Sequence, residues 1–149
     1  MFIKNKNKLV NLDSVTSVVI EGTKVIFNLD YGISLRNVNE KIIADYVYFF
    51  YDSVEEVQEV IKIVSKVFLN SQTSSVSNRY INPNKISFIK FEEFDKQDNE
   101  KNRIIVNFNV SVSFNGINDV KTSDSIYLDY NRKADYISEV NRFTNILEG

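Results

Sequence analysis

Polar and apolar residues alternate along most of this chain, and in two places the period lengthens to that of a helix. Leu9-Val10, Val15 to Glu21 and Lys24 to Leu29 read as strands. Glu21-Gly22-Thr23 reads as the tight turn between the last two, with glycine supplying a positive φ. Ile33 to Leu35 and Asp45 to Tyr51 read as two further strands. Beyond Asp52 the apolar positions become Val57, Val60, Ile61, Val64, Val67 and Phe68, which is helical spacing. Ser53 predicts the N-cap and Glu56 completes a capping box, while Asp52 and Glu55 suit the positive end of the helix dipole. The succession then returns. Strands are expected over Ile86 to Phe94, Arg103 to Phe114 and Ser125 to Tyr130, with a charged hairpin tip at Asp95 to Lys101. A second helix starts near Asn131 and buries Tyr136 or Ile137, Val140, Phe143 and Leu147. Asn141, Thr144 and Asn145 have poor helix propensity and make it the weaker of the two.

The recurrence includes polar positions, which points to a duplication. Val10-Asn11-Leu12-Asp13 and Val15-Thr16-Ser17-Val18 lie over Ile81-Asn82-Pro83-Asn84 and Ile86-Ser87-Phe88-Ile89, 71 positions on. After one gap, placed within Asp95 to Lys101, the offset becomes 79. Lys24 to Leu29 then meets Arg103 to Phe108, Val47 to Tyr51 meets Ile126 to Tyr130, and Val57, Ile61, Val64 and Phe68 meet Tyr136, Val140, Phe143 and Leu147. The expected fold is therefore α+β: two tandem copies of a mostly antiparallel sheet unit, each closed by a C-terminal helix. The first repeat covers 1–70 and the second 79–149, and the serine-rich stretch 71–78 reads as a linker.

A helix of this length covers one face of a small sheet. Val47, Phe49 and Tyr51 alternate with Tyr46, Tyr48 and Phe50, so if the first set packs on the helix, the second lies on the other face. In the second repeat that face carries Ser125, Tyr127 and Asp129. An uncovered aromatic patch is costly on a monomer, so the other repeat, a second subunit or a ligand should cover it. Tyr46, Tyr48, Phe50 and Tyr127 are the candidate interaction face.

Composition narrows the chemistry. The 149 residues are 43% hydrophobic and 13% aromatic, enough for a core. The longest apolar run, Val47 to Tyr51, is far short of the roughly 20 residues of a membrane helix. No signal peptide follows Met1-Phe2-Ile3-Lys4, so a cytoplasmic location, or a particle assembled there, is expected without a membrane. With no cysteine or histidine, disulfides, thiolate sites and the commonest general base are absent. Four glycines, Gly22, Gly32, Gly116 and Gly149, form no phosphate-binding pattern. Glu55-Glu56 is explained by helix capping, and the neighbours Glu92-Glu93 point to opposite faces of a strand. Asp95 to Glu100 lacks the spacing of a calcium loop. No catalytic residue, metal ligand or cofactor is assigned. A net charge of −2 weighs against a duplex-DNA binder. Lys4, Lys6, Lys8, Arg79, Tyr80, Lys85, Phe88 and Lys90 are the basic and aromatic residues that would contact a single strand. They equally suit solvated strand edges.

Val10-Asn11-Leu12-Asp13, Asp30-Tyr31-Gly32 and Asp52-Ser53-Val54-Glu55-Glu56-Val57 resemble the FlbD-like small bacterial proteins, flagellar-operon proteins of uncertain biochemical role. In the second repeat Tyr80-Ile81-Asn82-Pro83-Asn84 keeps the pattern. Residues Arg36 to Ala44 form an insertion relative to it. The resemblance implies a fold type and no catalytic residues. The tandem order of four strands and a helix also looks like the PUR-repeat and Whirly group, which bind single-stranded nucleic acid, although their basic-aromatic strand signatures are missing. The expected function is a non-enzymatic interaction or assembly protein with a protein partner or self-association, such as a structural component of a phage virion. The alternative is a single-stranded nucleic-acid-binding module.

Overall fold

The chain opens on a hairpin that alternation gives only in part. β1 (Phe2–Asn5) and β2 (Lys8–Asn11) pair antiparallel around a Lys6-Asn7 loop, in which Lys6 holds a left-handed φ of 53°. Ile3 and Val10 are its buried pair, and the remaining side chains are exposed or half-buried. A single 3-10 turn, Leu12–Ser14, follows, and the Asn11 side chain accepts from the Asp13 N–H at 3.1 Å. The computed structural model describes residues 1–34, 42–71, 78–93, 102–114 and 117–149, with backbone alone at 31–34, 42–45, 110–114 and 117–124. Leu35, most of the insertion at 36–44, the linker positions 72–77 and the tip at 95–101 lie outside the described residues.

β3 (Val15–Glu21) and β4 (Lys24–Ser34) form a hairpin across Gly22-Thr23. Gly22 has φ 61° with open space where a Cβ would stand, so conformation and not crowding selects glycine there. The break expected between the strands Lys24 to Leu29 and Ile33 to Leu35 is absent, and β4 runs straight through Asp30-Tyr31-Gly32. Beyond Asp30 the strand is paired on both edges, so a turn would strip its backbone groups of partners. That passage carries a register shift between Asn28 and Gly32 against β5 (Ile42–Phe50).

Helix α1 (Val54–Val64) has the expected start. Ser53 Oγ accepts from the Glu56 N–H at 3.3 Å, and the Glu56 carboxylate accepts from the Asp52 N–H at 2.9 Å. It ends earlier than the apolar spacing suggests: Val67 lies past the end and is exposed, whereas Phe68 still reaches the core. β6 (Leu69–Ser71) and β7 (Asn78–Ile81) are antiparallel neighbours. A second 3-10 turn, Pro83–Lys85, has the Asn82 side chain accepting from the Asn84 N–H at 3.1 Å. β8 (Ile86–Glu92), β9 (Asn102–Phe114), β10 (Ile117–Tyr130) and α2 (Lys133–Glu148) complete the order. α2 starts at Lys133, close to the expected Asn131, and Arg132 at its N-cap offers no side-chain hydrogen bond.

The architecture is α+β. One eight-stranded sheet runs β10-β9-β4-β3-β7-β6, with β5 on β4 and β8 on β9. Its pairs are antiparallel except β4 with β9, which run parallel from Tyr31–Ser111 to Ser34–Phe114. β3 and β8 enter the sheet in the same way. Each has a register shift, Val15/Ser17 against Leu29/Asn28 and Ile86/Phe88 against Phe108/Asn107. Beside each shift a hydroxyl donates to the opposite carbonyl, Thr16 to Asn28 at 3.2 Å and Ser87 to Asn107 at 2.9 Å.

Two cores result. Val57, Val60 and Val64 of α1 pack with Ile3, Val10, Val18, Val25, Phe27, Phe49 and Tyr80; the Phe27 and Phe49 rings meet edge-on at 5.1 Å. Tyr136 and Phe143 of α2 pack with Ile104, Val106, Phe108, Leu128, Leu69 and Ile81. Ile61 and Val140 are half-buried at the rims of these cores, and Leu147 is exposed on the last turn, against the expectation that it is buried.

Candidate interaction face

Alternation in β5 turns Phe49 fully inward and sets Val47 and Tyr51 against the α1 core. Its other side carries Tyr46, 46% exposed, Phe50, 58% exposed, and the half-buried Tyr48 between them. The Tyr46 and Tyr48 ring centroids are 4.6 Å apart, and those of Tyr48 and Phe50 are 6.4 Å apart. The Lys24 ammonium stands 4.3 Å from the centre of the Tyr48 ring. In the second half Tyr127 is 56% exposed, and the Arg103 guanidinium lies 5.1 Å over its ring. Sequence reading missed Lys24 and Arg103 as partners of these rings. The signal was their own offset, because Lys24 aligns with Arg103 as Tyr48 aligns with Tyr127.

Among the described residues, each cation on these patches has a carboxylate beside it. Lys24 stands 4.0 Å from Glu21, Arg103 is 2.6 Å from Asp129, and Lys90 is 3.0 Å from Glu92. Their described side chains are aromatic and locally balanced in charge. The Tyr48 phenol is held above its ordinary pKa, chiefly by its hydrogen bond with Tyr46 and then by burial and the Glu21 charge.

The four candidate residues do not form one surface. Ile81 shares a face with Ser17, Asn28 and Tyr46 through successive register pairs, and it packs into the core under α2. Tyr127 lies on the side of β10 turned away from that core, because Ile126, Leu128 and Tyr130 take the inner side. The Tyr46–Tyr48–Phe50 patch and the Tyr127 patch therefore sit on opposite sides of the sheet, and neither covers the other. Phe88, on β8 opposite Asn107, joins the Tyr127 side.

The basic-aromatic set is also dispersed. Tyr80 is buried in the α1 core and cannot contact a ligand, because β7 inserts it against Val18. The Lys85 ammonium is bound to Asp30 at 2.8 Å. Lys4, Lys6 and Lys8 are exposed around the first hairpin, and Arg79 is half-buried on β7. Of this set, Phe88 and Lys90 are the aromatic and the cation that stay exposed side by side, on β8.

A groove of about 540 Å³ opens between β1 and α1, with Phe2, Ile3, Lys4, Val60 and Ile63 among its walls. Tyr51 also lines it; its hydroxyl is buried without a hydrogen-bond partner, and burial, then the Glu56 charge, raises its pKa to about 12. The phenol thus stays protonated at neutral pH. Of the acidic pairs, Glu56 is spent on the cap, Glu92 faces Lys90, and Glu93 meets Lys133 at 2.6 Å. Among the described residues no group of three or more acidic side chains could hold a metal ion, and no helix is long and apolar enough to cross a membrane. No family model, curated protein or solved structure matches the chain.

Proposed function

We propose that this chain is a non-enzymatic interaction protein, built from two diverged copies of one strand-rich unit, that docks a protein partner on its outward aromatic patches. The observation that carries this reading is the pairing of outward aromatics, whose tilted rings touch one another on β5, with cations that already have Glu21 and Asp129 beside them. Aromatic side chains anchor protein interfaces, and a phosphate backbone would instead demand unpaired positive charge. The two-copy reading is supported by the twin asparagine-capped turns, the matched register shifts and the paired hydroxyl–carbonyl bonds. A structural part of a larger particle assembled in the cytoplasm, such as a phage virion, fits such a protein. The FlbD-like resemblance adds a fold type and no activity.

A second reading, a single-strand binder resembling the PUR and Whirly group, draws on the cation–ring pairs at Lys24–Tyr48 and Arg103–Tyr127. One experiment separates the two. A photo-crosslinking amino acid at Phe50, in the cells that make the protein, should yield an adduct removed by protease and resistant to nuclease. The adduct should vanish in the Tyr48→Ser background while the melting temperature holds. A nuclease-sensitive adduct, together with salt-sensitive binding of labelled oligonucleotides, would establish the second reading, and absence of any adduct would remove both.

A further inference from the structure

The sheet is closed on one side of its parallel join and open on the other. On the closed side, β7 lies antiparallel on β3, pairing Ser17–Ile81, Val18–Tyr80 and Ile20–Asn78. Tyr80 is thereby buried in the α1 core, the Asn82 N–H reaches the Thr16 carbonyl at 2.9 Å, and the Asn82 amide reaches the Val15 carbonyl at 2.8 Å. By the 71-residue offset, the matching strands on the open side are β8 and β2. β2 pairs only with β1, and β8 only with β9, among the described residues. The side chains that would be covered are in water: Leu9 is 65% exposed, Phe88 56% and Phe91 42%.

The free backbone groups match as well. The Leu12 N–H bonds to the Met1 carbonyl across the first hairpin. Alternation then gives Val10 and Lys8 to β1 and turns the N–H and C=O of Leu9 and Asn11 outward. Their counterparts in β7, Tyr80 and Asn82, are the residues that face β3.

We propose that a second copy of this chain fills the open edge, its β2 adding antiparallel to β8 with Leu9 opposite Ile89 and Val10 opposite Phe88. The register rests on the two-copy reading, whereas the two free edges do not. Leu9 then enters between Ile89 and Phe91, as Tyr80 does between Val18 and Ile20 on the closed side. Lys6 falls opposite Glu92, and Lys8 falls opposite Lys90, whose charge Glu92 already offsets. No ion pair among the described residues involves Lys4, Lys6 or Lys8, so the basic loop is available to the acidic end of β8, Glu92-Glu93. The chain's own hairpin is a poor occupant. Ile3, Val10 and Leu12 are buried in the α1 core, and the Asn5 amide donates to the Phe50 carbonyl at 2.9 Å, so reaching β8 would pull the hairpin from its seat. Reciprocal pairing closes a dimer, and one-way pairing propagates a chain of copies.

The protein has no cysteine, so a Leu9→Cys, Ile89→Cys double variant reports the pairing without background. Under oxidation it should form disulfide-linked dimers or longer ladders on a non-reducing gel, and each single variant should not cross-link to itself in this register. Sedimentation velocity at high micromolar concentration should show self-association that Leu9→Pro abolishes. Proline there removes an outward N–H that β1 does not use, so the melting temperature should hold. A wild-type chain that sediments as a monomer overturns the proposal, as does an intramolecular disulfide or a dimer without the cross-link. Any of these results leaves the Phe50 photo-crosslink free to judge the aromatic patches separately.

Discussion

Tyr51 shows how much a single residue's setting matters. Its ring belongs to the α1 core, while its hydroxyl is buried without an acceptor. A buried hydroxyl that makes no hydrogen bond has lost its hydration and gained nothing in return. Tyr51→Phe should therefore leave the melting temperature at neutral pH unchanged or slightly higher. Alkali tells more. The folded pKa of about 12 lies above the ordinary value of 10.0, so the fold favours the neutral phenol. That contribution is complete below about pH 10 and is lost as pH rises through about 12. Tyr130 adds to the same loss, since burial and the Glu139 charge raise its pKa as well. Melting curves from neutral to strongly alkaline pH should fall steeply for the wild type and less steeply for Tyr51→Phe. Parallel slopes would show that Tyr51 titrates at its ordinary value in the fold.

At the scale of elements, the two asparagine-capped turns look alike and do different work. Among the described residues Asn11 makes only its local cap, whereas the Asn82 amide is buried and bridges the carbonyls of Leu12 and Val15 on the neighbouring segment. Asn82→Ala strands buried acceptors and should cost about 2–3 kcal/mol in denaturant melts, against roughly 1 kcal/mol for Asn11→Ala. Equal losses would show that the bridge to β3 contributes nothing. The helices differ from their apolar spacing in a similar way. Ile61 sits at the rim of the α1 core, so Ile61→Ala should cost roughly 1–2 kcal/mol, less than the range for a fully buried site. Phe143 is fully buried under α2, and Phe143→Ala should cost about 3–5 kcal/mol in the same urea titrations. A reversed order would mean that Ile61 carries more of its core than Phe143 does of its own.

For the whole molecule, the parallel join between β4 and β9 sets everything else. It puts the inner face of one half and the outer face of the other on the same side of the sheet. Core residues are exchanged as a result: Tyr80 of β7 enters the α1 core, while Leu69, just past α1, enters the α2 core. Because none of the described residues covers Tyr46 and Phe50, the Tyr48→Ser variant of the cross-linking experiment should melt as the wild type does. A large drop in its melting temperature would mean that the patch is structural and not a docking surface.

The alternation and spacing of side chains were enough to place β3, β8, both helices and the inward set Val47, Phe49 and Tyr51, because those features are local: pleat, helical period and cap chemistry act within a few residues. Ser53 and Glu56 specify their cap without help from the rest of the chain. The passage of β4 through Asp30 to Gly32, the burial of Tyr80 and the division of the aromatic residues between two sides of the sheet were not legible. Each depends on which strand lies alongside, and pairing between residues as distant as Tyr31 and Ser111 leaves no periodic trace in the sequence. A turn signal is overridden once both edges of a strand are hydrogen-bonded, and a tyrosine between an arginine and an isoleucine reads as exposed until a neighbouring strand fixes its register. The sequence settles what each segment can be; only the tertiary pairing of β4 with β9 and β7 with β3 decides which surfaces are buried and which face outward, because burial is a property of neighbours in space.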